Sequence, residues 1–539
     1  MNILLVCPPA DFAVWGRVQK QSAGNIPARA FTVPLHLGTV AALTPADDHV
    51  QIWDEAVQGG IDDDTDFGID YDLVGVTGYS CHLPRARDLA AIFRRRGIPV
   101  VIGGAGVTAE PETCRDDFDV LFIGEAEHTW PRFLRDFKEG THAREYRATV
   151  FPDLSESPAP RWDSIADQMS SRYVTGGLQV NRGCPYTCEF CNVWTDFGRK
   201  IRSKPIDQVL QELTTLERLR MRRVMVCTDN FVGNPKVAKE LLRHMIALND
   251  SFKRPLQFYT ELTLNIARDD ELLTLLADAN FVSLFIGIES VNEESLKETR
   301  KRHNIQRGLV EQCRKIQSYG MPIHGSMIVG FDHDTAGSFD DTFEFLQEAC
   351  IICPRLNLLK ALASTDLLSR LEAEGRVIDR DRAFEDLSQA DPVRTILSNV
   401  IPRNMTRVEM FTGYLRMLEN VWDWRHIEAR VVGFLDMIER TPREPDDVAS
   451  RAVGIMKASF PSFPGVNMEV VERIIDHTQA HQPRMLENIC SLLLFACDEA
   501  SRLPVMRDAL TAHIERERLL GEAPPLMEAT GSDTCPAAT

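Results

Sequence analysis

The stretch Asn181-Arg182-Gly183-Cys184-Pro185-Tyr186-Thr187-Cys188-Glu189-Phe190-Cys191 spaces three thiols as C-x3-C-x2-C, directly after the apolar run from Leu178 to Asn181. On a loop, three thiolates so close together can all point inward. That suits three irons of a [4Fe-4S] cluster and leaves the fourth iron open. Zinc is the alternative, but a structural zinc site asks for four protein ligands, and no fourth cysteine or histidine stands nearby.

Outward from this loop the pattern is one of alternating strands and helices. Downstream, the runs Val224 to Thr228, Leu256 to Glu261, Ser283 to Glu289, Ser326 to Phe331 and Leu356 to Ala361 each adjoin a helix-like stretch, such as Ile206 to Leu219 or Glu271 to Ala279. With the strand before the cysteines, this predicts a partial or full β/α barrel over residues 176–385. Upstream, Ile3 to Val6, Val50 to Trp53, Leu73 to Gly78, Val100 to Gly104 and Val120 to Gly124 read as strands of a doubly wound parallel sheet in residues 1–140. Residues 141–175, with Pro152, Pro158 and Pro160, read as a linker. Arg407 to Trp422, Trp424 to Glu439 and Met485 to Ser501 suggest a helical region over 386–520, and residues 521–539 a disordered tail. The fold class is therefore α/β, with a Rossmann-like domain, a β/α barrel and a helical C-terminal region.

A length of 539 residues fits about three domains at roughly 150 residues each. The net charge of -19 argues against nucleic acid as a partner. No basic leader and no long apolar window occur, so a cytoplasmic location without a transmembrane segment is expected. Peripheral membrane contact is conceivable through Ser491 to Phe495. The thirteen cysteines are too few for a disulfide scaffold. The pair Cys350 and Cys353 ends a helical pattern and reads as buried free thiols.

The cysteine spacing, with Phe190 directly before the last thiol, resembles the signature of the radical SAM superfamily, in which the open iron chelates S-adenosylmethionine (SAM). Further motifs resemble it in order: Asp229-Asn230 after the second barrel strand, Glu261 closing the third, Gly287-Ile288-Glu289-Ser290 at the fourth, and Gly325 to Phe331 at the fifth. The resemblance implies that Cys184, Cys188 and Cys191 hold the cluster. It further implies that Phe190, Asp229, Asn230, Glu261, Glu289 and Ser290 contact SAM, and that Met327 and Val329 flank its adenine. The related subfamily shows two acids before the asparagine, whereas here Thr228 takes the first of those positions.

From about residue 1 to 440 the chain is similar to the branch with a cobalamin-binding domain, closest to the hopanoid methylase-like group. The residues that carry this are Pro34 to Ala42, Asp54-Glu55, Gly103 to Glu112, Gly124-Glu125-Ala126-Glu127, Asn292 to Thr299, Met327 to Asp332, Glu374-Gly375-Arg376 and Ile401 to Met405. Thr77-Gly78 and Gly103-Gly104 then become the expected cobalamin contacts, at strand ends where glycines admit a large ligand. The D-x-H-x-x-G element is absent from Cys7 to Phe12, which leaves His36 and His82 as substitute candidates for cobalt ligation. The implied cofactors are a [4Fe-4S] cluster, SAM and cobalamin. The implied activity is methylation of an unactivated carbon in a small-molecule substrate, with a flavodoxin or ferredoxin as electron donor. Two alternatives stand beside it: radical chemistry without methyl transfer (ring formation or 3-amino-3-carboxypropyl transfer), and a non-catalytic cofactor sensor.

Overall fold

The computed structural model describes residues 1–9, 30–305, 308–378, 397–440, 443 and 447–519. The expected barrel-to-helical boundary at 385, the expected tail at 521–539 and Ala10 to Phe12 lie outside the described residues. In chain order the strands are β1 (Asn2–Cys7), β2 (Ala30–Thr32), β3 (His49–Asp54), β4 (Leu73–Thr77), β5 (Val100–Gly103), β6 (Val120–Ile123), β7 (Glu145–Arg147), β8 (Tyr173–Gln179), β9 (Asn181–Arg182), β10 (Arg202–Ser203), β11 (Arg223–Cys227), β12 (Gln257–Leu262), β13 (Phe281–Glu289), β14 (Ile323–Val329) and β15 (Arg355–Leu358).

Continuous apolar runs such as Ile3 to Val6 are buried on both faces, as a parallel strand covered by helices on each side must be. They assemble a six-stranded sheet in the order β3-β1-β4-β5-β6-β7, every pair parallel. The chain reverses direction from β1 on either side, which is the doubly wound arrangement. A second parallel sheet runs β15-β14-β13-β12-β11-β8-β2. Strands β8 and β11 to β15 follow one another in sequence and in space, forming a barrel left open at its edges.

Two edge strands escape the sequence pattern. Glu145–Arg147 pairs with β6 inside the stretch read as a linker, where Leu154, Trp162 and Ile165 are also buried. Ala30–Thr32 belongs to the barrel sheet, beside β8, although the strands on either side of it in sequence belong to the first sheet. Three residues at a sheet edge carry no periodicity to read.

The C-terminal helices Arg407–Val421, Trp424–Asp436, Asp447–Ser459, Met468–His481 and Leu486–Leu519 pack against the barrel. The last runs 34 residues, through Pro504, well beyond the expected end at Ser501. Its first turns close the barrel floor, at the N-terminal strand ends. Glu487 pairs with Arg222 and, at 2.6 Å, with Arg223, and accepts from Gln257 at 3.3 Å. Asn488 donates to the Val282 carbonyl at 3.3 Å. Leu492 to Leu494 are buried in the core, so this apolar run faces protein rather than a lipid surface. Among the described residues, no helix is long and apolar enough to cross a membrane.

Candidate functional site

Parallel strands put all their C-terminal ends on one side, and in both sheets that side carries the candidate residues. At the barrel mouth, β8 leads through β9 into the cysteine loop, which the short antiparallel β9-β10 pair holds folded. Gly183 adopts φ +93°, and a Cβ there would stand 2.5 Å from the Lys200 carbonyl oxygen, so a side chain is excluded. Its N–H donates to Asp229 Oδ2 at 2.6 Å, while Cys184 N–H donates to the Gly198 carbonyl at 3.1 Å. Trp194 Nε1 donates to the Cys188 carbonyl at 3.3 Å.

Cys188 is buried, and Cys184 and Cys191 are half-buried. Burial raises all three thiols, Cys188 to about 11 and Cys191 to about 12, and their charges act on one another. The same three feel the Lys301 ammonium, which lowers them. Among the described residues, no three His, Cys, Asp or Glu groups converge to hold an ion as they stand. The three thiols are electrostatic neighbours on one loop beside a buried cation. That donor set fits a cubane, whose thiolates bind separate irons and whose net charge a nearby ammonium stabilises.

Around this loop the expected SAM contacts divide. Asp229, Asn230, Glu261, Glu289 and Ser290 do gather at the mouth. Asn230 Oδ1 accepts from Val232 N–H at 3.3 Å, and Thr228 Oγ1 bonds Asn181 Oδ1 at 2.5 Å, so Thr228 braces the strand end. Glu261 is accessible to solvent yet ringed by protein. Burial, then the Asp229 charge, lifts its carboxyl to about 7. Glu289 sits at φ +71° beside a register shift between β13 and β14, and pairs with Lys301 Nζ at 2.7 Å. A β-carbon-bearing residue in that backbone region marks stored strain of about 1–3 kcal/mol, held by its surroundings. Phe190 packs 5.9 Å from Phe331, ring to ring, with Lys301 Nζ 5.9 Å above its face.

Met327 and Val329, the expected adenine neighbours, lie on β14. Both are buried in the main core, on the side of β14 where the space beside Gly325 is filled by Ile288 and Ile351. Side chains alternate across a strand, so Ser326 and Ile328 present the accessible face instead. The same alternation on β11 and β12 leaves Cys227, Tyr259 and Glu261 accessible inside the curl of the sheet.

The first sheet brings Thr77, Gly78, Gly103 and Gly104 side by side. Thr77 is paired with Gly103, and a Cβ on Gly104, at φ +109°, would lie 2.7 Å from the Gly78 carbonyl oxygen. Of the two histidines, His82 is buried, and its Nδ1 accepts from Tyr79 N–H at 3.0 Å. His36 stays accessible in the first turn of the helix Leu35–Leu43, and burial and His82 lower its pKa to about 4, leaving a neutral imidazole.

The two mouths face one another. Tyr79 is exposed to solvent at the edge of the first sheet but surrounded by protein, and that surrounding, then the charges of Cys227, Glu261, Cys81 and Asp229, raise its hydroxyl pKa. Arg182, directly before Gly183, pairs with Glu125 and, at 2.7 Å, with Glu127, and Arg202 pairs with Glu125 at 2.7 Å. Tyr173 donates to Asp54 Oδ2 at 3.1 Å. Glycine-lined strand ends thus stand opposite a thiol loop, joined by buried ion pairs.

Residues 178–346 match the radical SAM superfamily, and residues 365–464 match a domain of unknown function, DUF4070. An uncharacterised methyltransferase of Synechocystis sp. is 31% identical over 404 residues, which cover 75% of this chain and 73% of that one. The chain belongs to the cobalamin-binding radical SAM family. The hopanoid C-2 methylase of Rhodopseudomonas palustris is 32% identical over 358 residues, 65% of this chain and 66% of the methylase. Among solved structures, the radical SAM methyltransferase TsrM of Kitasatospora setae, with cobalamin and a [4Fe-4S] cluster bound, superposes with a TM-score of 0.59 at 15% identity, covering 89% of this chain and 99% of TsrM. The cobalamin-dependent SAM radical enzyme OxsB, with aqua-cobalamin and SAM bound, gives 0.58 at 13% identity, over 96% of this chain and 81% of OxsB. At these identities the two structures show a shared fold.

Two cations at the site escape the sequence reading: Lys301 lies outside every motif, and Arg182, within the cysteine stretch, is given no role by it. Lys301 stands twelve residues from Glu289, and nothing in their spacing signals the contact.

Proposed function

We propose that this radical SAM family member methylates an unactivated carbon of a small molecule in the cleft between the two sheets. In this reading Cys184, Cys188 and Cys191 hold the [4Fe-4S] cluster. Asp229, Asn230, Glu261, Glu289 and Ser290 form the SAM pocket with Phe190, and the edge Thr77-Gly78 and Gly103-Gly104 receives cobalamin. The observation that carries it is the facing of the two strand-end edges, bridged by the ion pairs of Arg182 with Glu125 and Glu127 and of Arg202 with Glu125. When bound, the cluster supplies the electron that cleaves SAM, and cobalamin carries the methyl group.

The chain's own residues set the geometry. Gly183 and the Gly198 carbonyl hold the fold of the cysteine loop. Lys301 adds positive charge beside the thiols, and Glu289 holds Lys301 in place. Glu261, at about 7, accepts or donates a hydrogen bond near neutral pH. The ion pairs from Arg182 and Arg202 to Glu125 fix the distance between the two halves and seal that side of the cleft from water. An external electron donor, a flavodoxin or ferredoxin, completes the requirement.

Neither the loss of methyl transfer nor a sensor role draws support from the relatives, which are named as methyltransferases and a methylase. The test is anaerobic reconstitution followed by SAM and methylcobalamin. The expected products are 5'-deoxyadenosine, S-adenosylhomocysteine and a singly methylated acceptor. Cys188→Ala abolishes cluster uptake and SAM cleavage; a Cys188→Ala protein that still cleaves SAM refutes the ligand assignment.

A further inference from the structure

Between Cys188 and Phe190, the cysteine loop presents an acidic side chain that none of the SAM or cobalamin contacts uses. Glu189 is buried, its side chain 6% exposed, and it receives Arg370 through both oxygens, Nε at 2.7 Å and Nη2 at 3.1 Å. The same guanidinium donates to Asp332 Oδ2 and to Glu298 Oε1, each at 2.8 Å. With a longer contact to Glu374 on its own helix at 3.4 Å, one arginine thus binds four carboxylates, three of them from different parts of the barrel, and Arg376 gives Asp332 a second cation. Burial, then Asp332, pushes the Glu298 carboxyl up to about 7, whereas hydrogen bonds from Arg376 and Arg370 outweigh burial and hold Asp332 at about 2.

Arg370 lies on the helix Asp366–Ala373, at the start of the matched domain of unknown function. That helix points its N-terminus at the loop: Thr365 caps it, and Leu367 N–H donates to the Glu189 carbonyl at 3.0 Å. Leu367 and Leu371 pack with Phe331, and Phe190 packs on that group. The cysteine loop is therefore gripped at three levels, by backbone, ion pair and apolar contact, all from one short helix.

We propose that Arg370 is a positioning residue of the cluster: its planar fork fixes Glu189 and so the placing of Cys188, and its charge offsets the carboxylates gathered behind the cysteine loop. On this assignment the start of the domain of unknown function is a clamp on the cluster loop. The proposal rests on the ligation of the cluster by Cys184, Cys188 and Cys191 and adds what keeps that loop in register. Lysine keeps the charge but not the fork, and glutamine loses both, so two readouts separate the roles.

The experiment uses the full-length chain, reconstituted anaerobically as wild type, Arg370→Lys and Arg370→Gln. Midpoint potential is read by EPR-monitored titration and cluster loss as the rate of iron release to a chelator. Arg370→Gln shifts the midpoint negative, because unopposed carboxylates disfavour the added electron, and releases iron several-fold faster. Arg370→Lys stays near the wild-type midpoint and still releases iron faster. A folded Arg370→Gln protein with the wild-type midpoint and release rate overturns the proposal. Should Arg370→Gln fail to fold, Glu298→Gln, at the rim of the network with its side chain 15% exposed, moves the midpoint positive, and an unmoved midpoint in that variant overturns it equally. A wild-type chain that takes up no cluster overturns the ligation reading and the clamp together, whereas an unaltered variant in a cluster-bearing series overturns the clamp alone.

Discussion

Replacing Glu487 with glutamine tests whether the C-terminal helix is locked to the barrel floor by charge. The side chain is 6% exposed and faces Arg222, Arg223 and Gln257. Burial alone would raise its pKa, but Arg223, then Arg222 and Gln257, outweigh burial and hold the carboxyl at about 2 against an ordinary 4.5. A folded pKa below the unfolded one stabilises the fold above pH 4.5 and loses that contribution as pH falls towards 2. At about 1.4 kcal/mol for each tenfold change in proton affinity, the contribution near neutrality is about 3 kcal/mol. Removing one partner of a buried pair costs a similar amount, about 3–5 kcal/mol, because the Arg222 and Arg223 guanidiniums lose the charge of Glu487. Urea unfolding followed by tryptophan fluorescence should place Glu487→Gln about 3 kcal/mol below wild type near pH 7, the gap closing to about 1 kcal/mol near pH 3. A variant within about 0.5 kcal/mol of wild type near neutrality, the range of an ordinary surface change, refutes the reasoning, as does a gap that does not narrow in acid.

Gly104→Ala puts a methyl group against the Gly78 carbonyl at a φ of +109°. It should cost about 1–3 kcal/mol in thermal melts and lower cobalamin retention on gel filtration; full retention would remove Gly104 from the cofactor edge. Glu261, raised to about 7 when folded, keeps a proton that the unfolded chain releases, so wild-type stability falls as pH rises from the ordinary carboxyl range through about 7. Glu261→Gln should therefore melt higher than wild type above neutrality and level with it near pH 5 in ligand-free protein, and parallel pH curves would contradict the assignment.

What could be read from the sequence was whatever is written in consecutive residues. The cysteine loop is such a feature, and so are the barrel strands: the apolar runs fall within two residues of β11, β12 and β13 and within three of β14 and β15, whereas the run at Leu178 marks only the end of β8. Short edge strands such as β2 and β7 are fixed by neighbours distant in sequence, and Ala30 meets Tyr173 only in the folded chain. A motif marks a strand but not which of its side chains turn to the cavity; on β14 the packing of Ile288 and Ile351 against Gly325 puts Met327 and Val329 in the core and Ser326 and Ile328 on the accessible side. The cations are hidden for the same reason. Arg370 and Glu189 lie 181 residues apart, and Arg182 and Glu125 lie 57 apart, so no local pattern joins them.

Strand β2 has a consequence for how such proteins are built. The chain contributes β1 to one sheet, β2 to the other, then returns with β3 to the first, so the two layers are stitched together rather than strung end to end. A cut near residue 140 would leave the barrel without its edge beside Tyr173 and leave the N-terminal half carrying an orphaned strand. Recombining this cofactor-carrying half with another barrel would mean transplanting a piece of that barrel as well, which makes the pair a single unit of inheritance.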